Sequence, residues 1–219
     1  MVKNNRGAIF VVSAPSGAGK TSLCQEVTKI IEGVKHSISY TTRSPRQGEA
    51  NDVDYTFIKE EEFSRMVSEG EFVEWAVVHG NFYGTSMKRL DAIRDEGFDV
   101  ILDIDTQGAI QLKSRFKDGV YIFILPPSME VLEDRLRKRM SDSEEEIRRR
   151  LKRAREEIKE FDRYDYLIVN DRFDVALKEL GAIIISERLR TENMDAVWIR
   201  EKFSIQEGKN GYNITAGRI

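Results

Sequence analysis

Two hydrophobic periods take turns along the chain. The run Ala8-Ile9-Phe10-Val11-Val12 is short, apolar and β-branched, which predicts a strand buried on both faces. Leu23, Val27, Ile30 and Ile31 then recur at helical spacing. Residues 36–41 alternate and predict a second strand, and residues 55–58 a short third. Residues 61–69 predict a helix with Phe63, Met66 and Val67 inward, stopped by Gly70, and Phe72–Val78 alternates again. From residue 86 the helix and strand periods resume as a helix over 86–96, a strand over 100–105, a helix around Gln111 and Leu112, and a strand at Val120–Leu125. A helix over 128–139, a strand at Tyr166–Val169 and a helix over 175–189 complete the series.

Short apolar strands alternating with helices predict an α/β fold, a parallel sheet flanked by helices on both faces. Residues 51–85 break that rhythm and predict a small, mostly β lobe set apart from the sheet. The expected organisation is one domain over 7–190, with a core of 7–41 and 86–190, a lobe of 42–85 and a helical lid of 139–155. A tail of 191–219 follows. Trp198, Ile199, Phe203, Ile205 and Tyr212 are apolar enough to pack, whereas Gly208, Gly211 and Gly217 favour loops. Docking on the core, contact with a second copy and a loose end all remain open for it.

Composition narrows the function classes. The 219 residues are 40% hydrophobic, enough to bury a core, and carry a net charge of −3 from 35 basic and 38 acidic residues. That balance argues against a general nucleic-acid or membrane-surface binder. One cysteine, Cys24, allows no disulfide within the chain, and no Cys/His zinc spacing exists. Cys24 reads as a small packing residue, and neither His36 nor His79 has a partner pattern. With no leader-like segment before the first strand and no long apolar run, the sequence reads as cytosolic.

Between the first strand and the first helix stands Ser13-Ala14-Pro15-Ser16-Gly17-Ala18-Gly19-Lys20-Thr21-Ser22. Strand, glycine loop and helix in that order form a P-loop. Glycines let backbone N–H groups converge on phosphate oxygens, and the helix N-terminus adds partial positive charge. Lys20 is placed to reach the β and γ phosphates of a nucleoside triphosphate, and the Thr21 hydroxyl to ligate Mg²⁺. The strict pattern opens on glycine, whereas Ala14 holds that place, so the loop entry is expected at ordinary negative φ.

Further charges gather around this loop. Arg43 and Arg46 lie in a Pro45/Gly48 loop and suit either a solvated turn or a clamp on a second phosphate. Asp103 and Asp105 end an otherwise apolar strand, where a carboxylate is costly unless it meets cations or donors. Eight arginines crowd residues 135–155. Ser143 and Glu146 form a capping box, and Ile147, Leu151, Ala154, Ile158 and Phe161 make one apolar stripe on the helix that follows. Arg139 and Arg150 suit a lid closing over phosphates. Arg149 points to solvent, and the remaining arginines read as surface partners of Glu144, Glu145, Glu156 and Glu157.

These segments, in order, resemble the guanylate kinases. The resemblance covers about residues 7–190. It rests on the P-loop, on Ser39-Tyr40-Thr41-Thr42-Arg43-Ser44-Pro45-Arg46-Gln47-Gly48-Glu49, on Asp54-Tyr55, Phe72-Val73-Glu74-Trp75 and Asn81-Phe82-Tyr83-Gly84-Thr85. It continues through Ile101-Leu102-Asp103-Ile104-Asp105-Thr106-Gln107-Gly108 and Val169-Asn170-Asp171. It implies transfer of a phosphoryl group from MgATP to GMP in purine nucleotide metabolism. Arg43, Arg46, Tyr55 and Tyr83 would then hold the GMP phosphate, Glu74 would accept from guanine N1–H and the 2-amino group, and Ser39 and Thr85 would meet O6. Asp105 would support the base, Asp103 would lie near the Mg²⁺ water shell, Arg139 and Arg150 would be lid arginines, and Asn170 and Asp171 would lie near the adenine.

Two other readings compete. Guanylate-kinase-like modules of scaffold proteins bind phosphorylated peptides with a degraded P-loop, but Gly17, Gly19, Lys20 and Thr21 are all present here. A kinase acting on a sugar phosphate would have no use for the guanine-edge partners Glu74, Ser39 and Thr85.

Overall fold

The computed structural model describes residues 6–78, 80–138 and 143–204. The chain begins with β1 (Ile9–Ser13), α1 (Lys20–Ile30), β2 (Val34–His36), β3 (Tyr40–Thr41), β4 (Thr56–Phe57) and α2 (Glu60–Ser68). It continues through β5 (Phe72–Val78), β6 (Asn81–Ser86), α3 (Met87–Asp95), β7 (Asp99–Asp103), α4 (Thr106–Arg115) and β8 (Val120–Leu125). It ends with α5 (Met129–Lys138), α6 (Glu144–Ile158), β9 (Tyr166–Val169), α7 (Phe173–Arg188) and α8 (Ala196–Lys202).

Five strands form a parallel sheet in the order β2-β7-β1-β8-β9. The unbroken apolar run of β1 has a direct cause: all five of its residues are buried, and its two faces meet different layers. Phe10 and Val12 pack with Leu23 and Val27 of α1 and Leu180 and Ile184 of α7. Ile9 and Val11 pack with Leu90 of α3 and Leu112 of α4. Cys24 is fully buried in the first of these clusters, and burial pushes its thiol well above the ordinary range. A third cluster, Leu132, Leu136, Ile147, Leu151 and Ala154, joins α5 to α6. The α6 stripe stops short of Phe161, which is exposed. The Ser143 hydroxyl accepts from the Glu146 N–H and caps α6 as its sequence predicts.

A second sheet, β4-β3-β6-β5, is mixed, with β3 and β4 parallel and β3-β6 and β5-β6 antiparallel. Phe63 and Met66 of α2 and Phe72 of β5 form its small core. Two sequence expectations change here. The alternating run over 36–41 is divided between sheets: Val34–His36 pairs with β7 and Tyr40–Thr41 with β6. The chain therefore leaves the parallel core before Tyr40. The strand expected over 100–105 ends at Asp103, and Asp105 instead caps α4, its carboxylate accepting from the Gly108 N–H at 2.9 Å.

Of the tail, α8 and a short turn at Thr191–Asn193 follow α7, with the Asn193 side chain donating to the Glu187 carbonyl. Phe203 is exposed, while Ile205, Tyr212 and the three tail glycines lie outside the described residues.

Candidate active site

The P-loop joins the carboxyl end of β1 to the first turn of α1. Gly17 and Gly19 have φ of 101° and 92°, the left-handed region that side chains avoid. Gly19 also lies against the Asn170 amide, so a side chain there would collide with it. The Asn170 Nδ2 donates to the Ala18 carbonyl at 2.7 Å and ties the loop to the end of β9. Ala14 is buried and is not among the non-glycine residues with positive φ, as the departure from glycine requires. Ser13 is buried, and Ser16, Gly17, Lys20, Thr21 and Ser22 line a cleft with Pro15 and Ala14. Asp171 is exposed beside Asn170.

Lys20 and Asp103 meet because β7 lies next to β1 in register, Val12 opposite Asp103. The Lys20 ammonium lies 2.6 Å from the Asp103 carboxylate and donates to the Ile104 carbonyl at 2.7 Å. Burial works against both charges, but each is outweighed by the other. The Lys20 pKa stands above its ordinary value and that of Asp103 below. The Thr21 hydroxyl lies near Asp103 and also helps to hold its carboxyl low. A hydroxyl and a carboxylate are hard oxygen donors of the kind Mg²⁺ takes, so the residues present fit the ion. Among the described residues no three His, Cys, Asp or Glu side chains form a metal cage.

The cleft has two lobes, of about 250 Å³ and about 700 Å³, which share Thr21, Ser39, Arg46, Tyr55, Tyr83 and Asp103. The larger is lined with cations, Arg43, Arg46 and Arg150. Arg43 is held by a two-pronged ion pair with Glu49, both contacts 2.9 Å, and its Nε donates to the Tyr83 hydroxyl at 3.2 Å. That pairing with Arg43 holds the Glu49 carboxyl below its usual range. Glu49 also accepts from the Arg46 backbone N–H, so one carboxylate fixes the whole arginine loop. The Tyr55 and Tyr83 rings meet edge to face at 5.8 Å. Arg150 is turned inward from α6 and pairs with Glu146. Arg149 is exposed and also pairs with Glu146. Arg139 and His79 lie outside the described residues.

The smaller lobe is lined by Glu74, Asp103, Asp105 and Glu157 with Lys20, Arg46 and Arg153, while Glu49, Asp54 and Asp103 stand among the arginines of the larger. The pairing of β5 with β6 shifts register between Phe72 and Glu74, so that Phe72, Val73 and Glu74 are all buried where strict alternation would expose one. Glu74 is therefore no solvated strand residue. Thr85 donates its hydroxyl proton to Glu74 Oε1 at 2.5 Å. One hydroxyl proton cannot serve two acceptors, so in this arrangement Thr85 positions Glu74 and leaves Ser39 facing the cleft. Burial pushes the Glu74 pKa up to about 7, against the opposing effect of the Thr85 bond.

One arginine here escaped the sequence analysis. Arg153 lines the smaller lobe and pairs with Asp105 as well as with Glu157, where a surface partner was expected. Its signal was present: Arg150, Arg153 and Glu157 are spaced i, i+3, i+7 and share one helix face. Arg135 likewise turns from the surface, donating to the Asn170 carbonyl at 2.8 Å.

A P-loop at the carboxyl ends of a parallel sheet, beside an arginine-lined lobe and a lobe with the buried Glu74, defines a P-loop nucleotide-binding protein. The guanylate kinase family profile matches residues 6–187, and the chain belongs to that family. It is 56% identical to the guanylate kinase of Geobacter metallireducens, over 84% of this chain and 91% of that relative. It is 55% identical to that of Geobacter sulfurreducens, over 87% and 95%. The crystal structure of guanylate kinase from Anaplasma phagocytophilum superposes with a TM-score of 0.78 at 35% identity, covering 94% of this chain and all of that one.

Proposed function

We propose that this chain transfers the γ-phosphoryl group of MgATP to GMP in the cytoplasm, giving ADP and GDP. The observation that carries the reading is the buried Glu74–Thr85 pair facing the same cleft as the P-loop lysine. The nucleophile is an oxygen of the GMP phosphate, anionic near neutral pH, so no general base is required. Catalysis is positioning and charge neutralisation. Lys20 takes the transferring phosphates. Arg43, Arg46, Tyr55 and Tyr83 orient the acceptor phosphate, with Glu49 keeping Arg43 in place. Arg150 brings a cation from α6, and Arg139 acts with it as the second lid arginine. Mg²⁺, held through Thr21 and the Asp103 water shell, would neutralise phosphate charge. Asn170 and Asp171 stand on the adenine side. The parts divide into a core of 7–41 and 86–190, an acceptor lobe of 42–85, a lid of 139–155 and the tail. The Tyr40–Thr41 strand belongs structurally with the lobe.

ADP release from MgATP with GMP, dGMP, AMP, CMP or UMP as acceptor tests the reading. Strong turnover with GMP and negligible turnover with AMP is expected. Turnover with none, in a folded protein that binds GMP, would overturn it.

A pH dependence follows from Glu74. Guanine offers donors at N1 and the 2-amino group, so only the ionised carboxylate pairs with it. A protonated carboxyl would set a donor against donors. With the Glu74 pKa near 7, kcat/KM for GMP should fall about tenfold per pH unit below that point and level off above it. A profile flat between pH 5.5 and 8, with ATP saturating, would contradict the assignment.

A further inference from the structure

The α6 helix serves both lobes of the cleft. Arg150 faces the arginine-lined lobe, and Arg153, three residues on, faces the carboxylate-lined one. The Arg153 guanidinium is partly buried and two-handed. Its Nε donates to Glu157 at 2.7 Å on its own helix, and its Nη2 to Asp105 Oδ2 at 3.2 Å across the cleft. Asp105 is otherwise held by the chain that follows it. Oδ1 accepts from the Gly108 N–H at 2.9 Å, and Oδ2 also accepts from the Gln107 amide at 3.1 Å.

Gly108 explains why this matters for Glu74. A side chain at Gly108 would collide with Glu74 Oε2 and would stand 3.4 Å from Asp105 Oδ1. The two carboxylates are therefore neighbours across a single glycine. Lys20 lies within their field but is bonded to Asp103, which with Glu157 brings the carboxylates of the lobe to four. Among the described residues Arg153 pairs directly with two of these carboxylates, Asp105 and Glu157.

We propose that Arg153 is a positioning residue of the base-reading lobe: it holds Asp105 in place and balances the paired carboxylates, tying α6 to recognition of the acceptor base. The proposal rests on the GMP reading above. Its physical basis is that a charge-assisted bond between partly buried groups fixes orientation as well as charge. Arg153 acts through Asp105 and makes no contact with the transferring phosphoryl group in this role. Its influence belongs to the acceptor and not to ATP, and to the 2-amino edge that distinguishes guanine from hypoxanthine.

Steady-state kinetics with GMP and with IMP, which lacks the 2-amino group, test this in the wild type, Arg153→Met, Arg153→Lys, Asp105→Asn and the Arg153→Met/Asp105→Asn double variant. Arg153→Met should raise KM for GMP about tenfold, leave KM for ATP within about twofold, and narrow the preference for GMP over IMP. Arg153→Lys should recover part of the loss, since an ammonium pairs with Asp105 but cannot bridge to Glu157 with the same fork. In the Asp105→Asn background, Arg153→Met should add little, because both changes break one interaction. Asparagine still caps α4, so that background keeps its helix. Equal loss in the GMP and ATP parameters, or full additivity of the two changes, would overturn the proposal. If Arg153→Met does not fold, Arg153→Lys and Asp105→Asn carry the same comparison. A wild type inert toward GMP would instead overturn the GMP reading.

Discussion

Glu74→Gln lowers kcat/KM for GMP by about 10⁴ while ATP affinity and thermal stability hold. The magnitude follows from the site being built to hydrogen-bond its substrate. A pocket with a fixed acceptor pair rejects a mismatched edge by four to five orders of magnitude. Glutamine has the same shape but turns one acceptor into a donor, which then confronts the guanine donors without a partner. Stability holds because Thr85 can still donate to the remaining carbonyl oxygen, and because a neutral amide is easier to bury than a carboxylate whose pKa burial already raises. Steady-state kinetics with GMP varied at saturating ATP, beside a thermal melt, check it. A loss under tenfold would mean that Glu74 does not read the base.

Lys20→Met lowers kcat by about a thousandfold, the scale set by removing one preorganised donor from a developing phosphoryl charge. It also has a structural cost that must be separated from the catalytic one. Lys20 is the ion-pair partner of buried Asp103, and a buried charge stripped of its partner destabilises a protein by about 3–5 kcal/mol. Lys20→Met alone should therefore melt at a lower temperature. Lys20→Met/Asp103→Asn should regain most of that stability while remaining inactive. If the double variant regained activity along with stability, Lys20 would be structural and not catalytic.

Much of this could be read before any coordinates. The limits of Phe72–Val78, Val120–Leu125 and Tyr166–Val169 follow from apolar, β-branched runs between turn residues, although only Val120–Leu125 is buried nearly throughout. The P-loop was legible because its chemistry is local: a strand, two left-handed glycines and a helix start. What escaped was what neighbours in space decide. Residues 36–41 alternate without a break, and nothing within them tells that His36 pairs with Ile101 while Tyr40 pairs with Gly84. Asp105 looked like a strand end because the helix it caps begins immediately after it. Glu74 could be singled out only through its flanking motif, since its burial depends on a register shift that alternation does not encode. Arg153 was hidden by its own neighbour. An i, i+4 partner at Glu157 makes it look like an ordinary solvent-facing pair, and Asp105 approaches from 48 residues away.

The second sheet is an excursion between two strands that touch. The chain leaves after β2 and is back in the core by β7, and β2 and β7 are neighbours in the parallel sheet. A detour whose ends meet is modular. It can be lengthened, shortened or exchanged without reordering a strand of the core, because the entropy of closing a loop grows only slowly with its length. Much of the choice of acceptor can therefore evolve as a cassette, with Asp105 and Arg153 as the core's share of the base-reading lobe. Chimeras that replace the stretch between β2 and α3 with that of another nucleotide kinase, with positions 105 and 153 matched to it, provide a route to new acceptors on the same phosphate-donor scaffold.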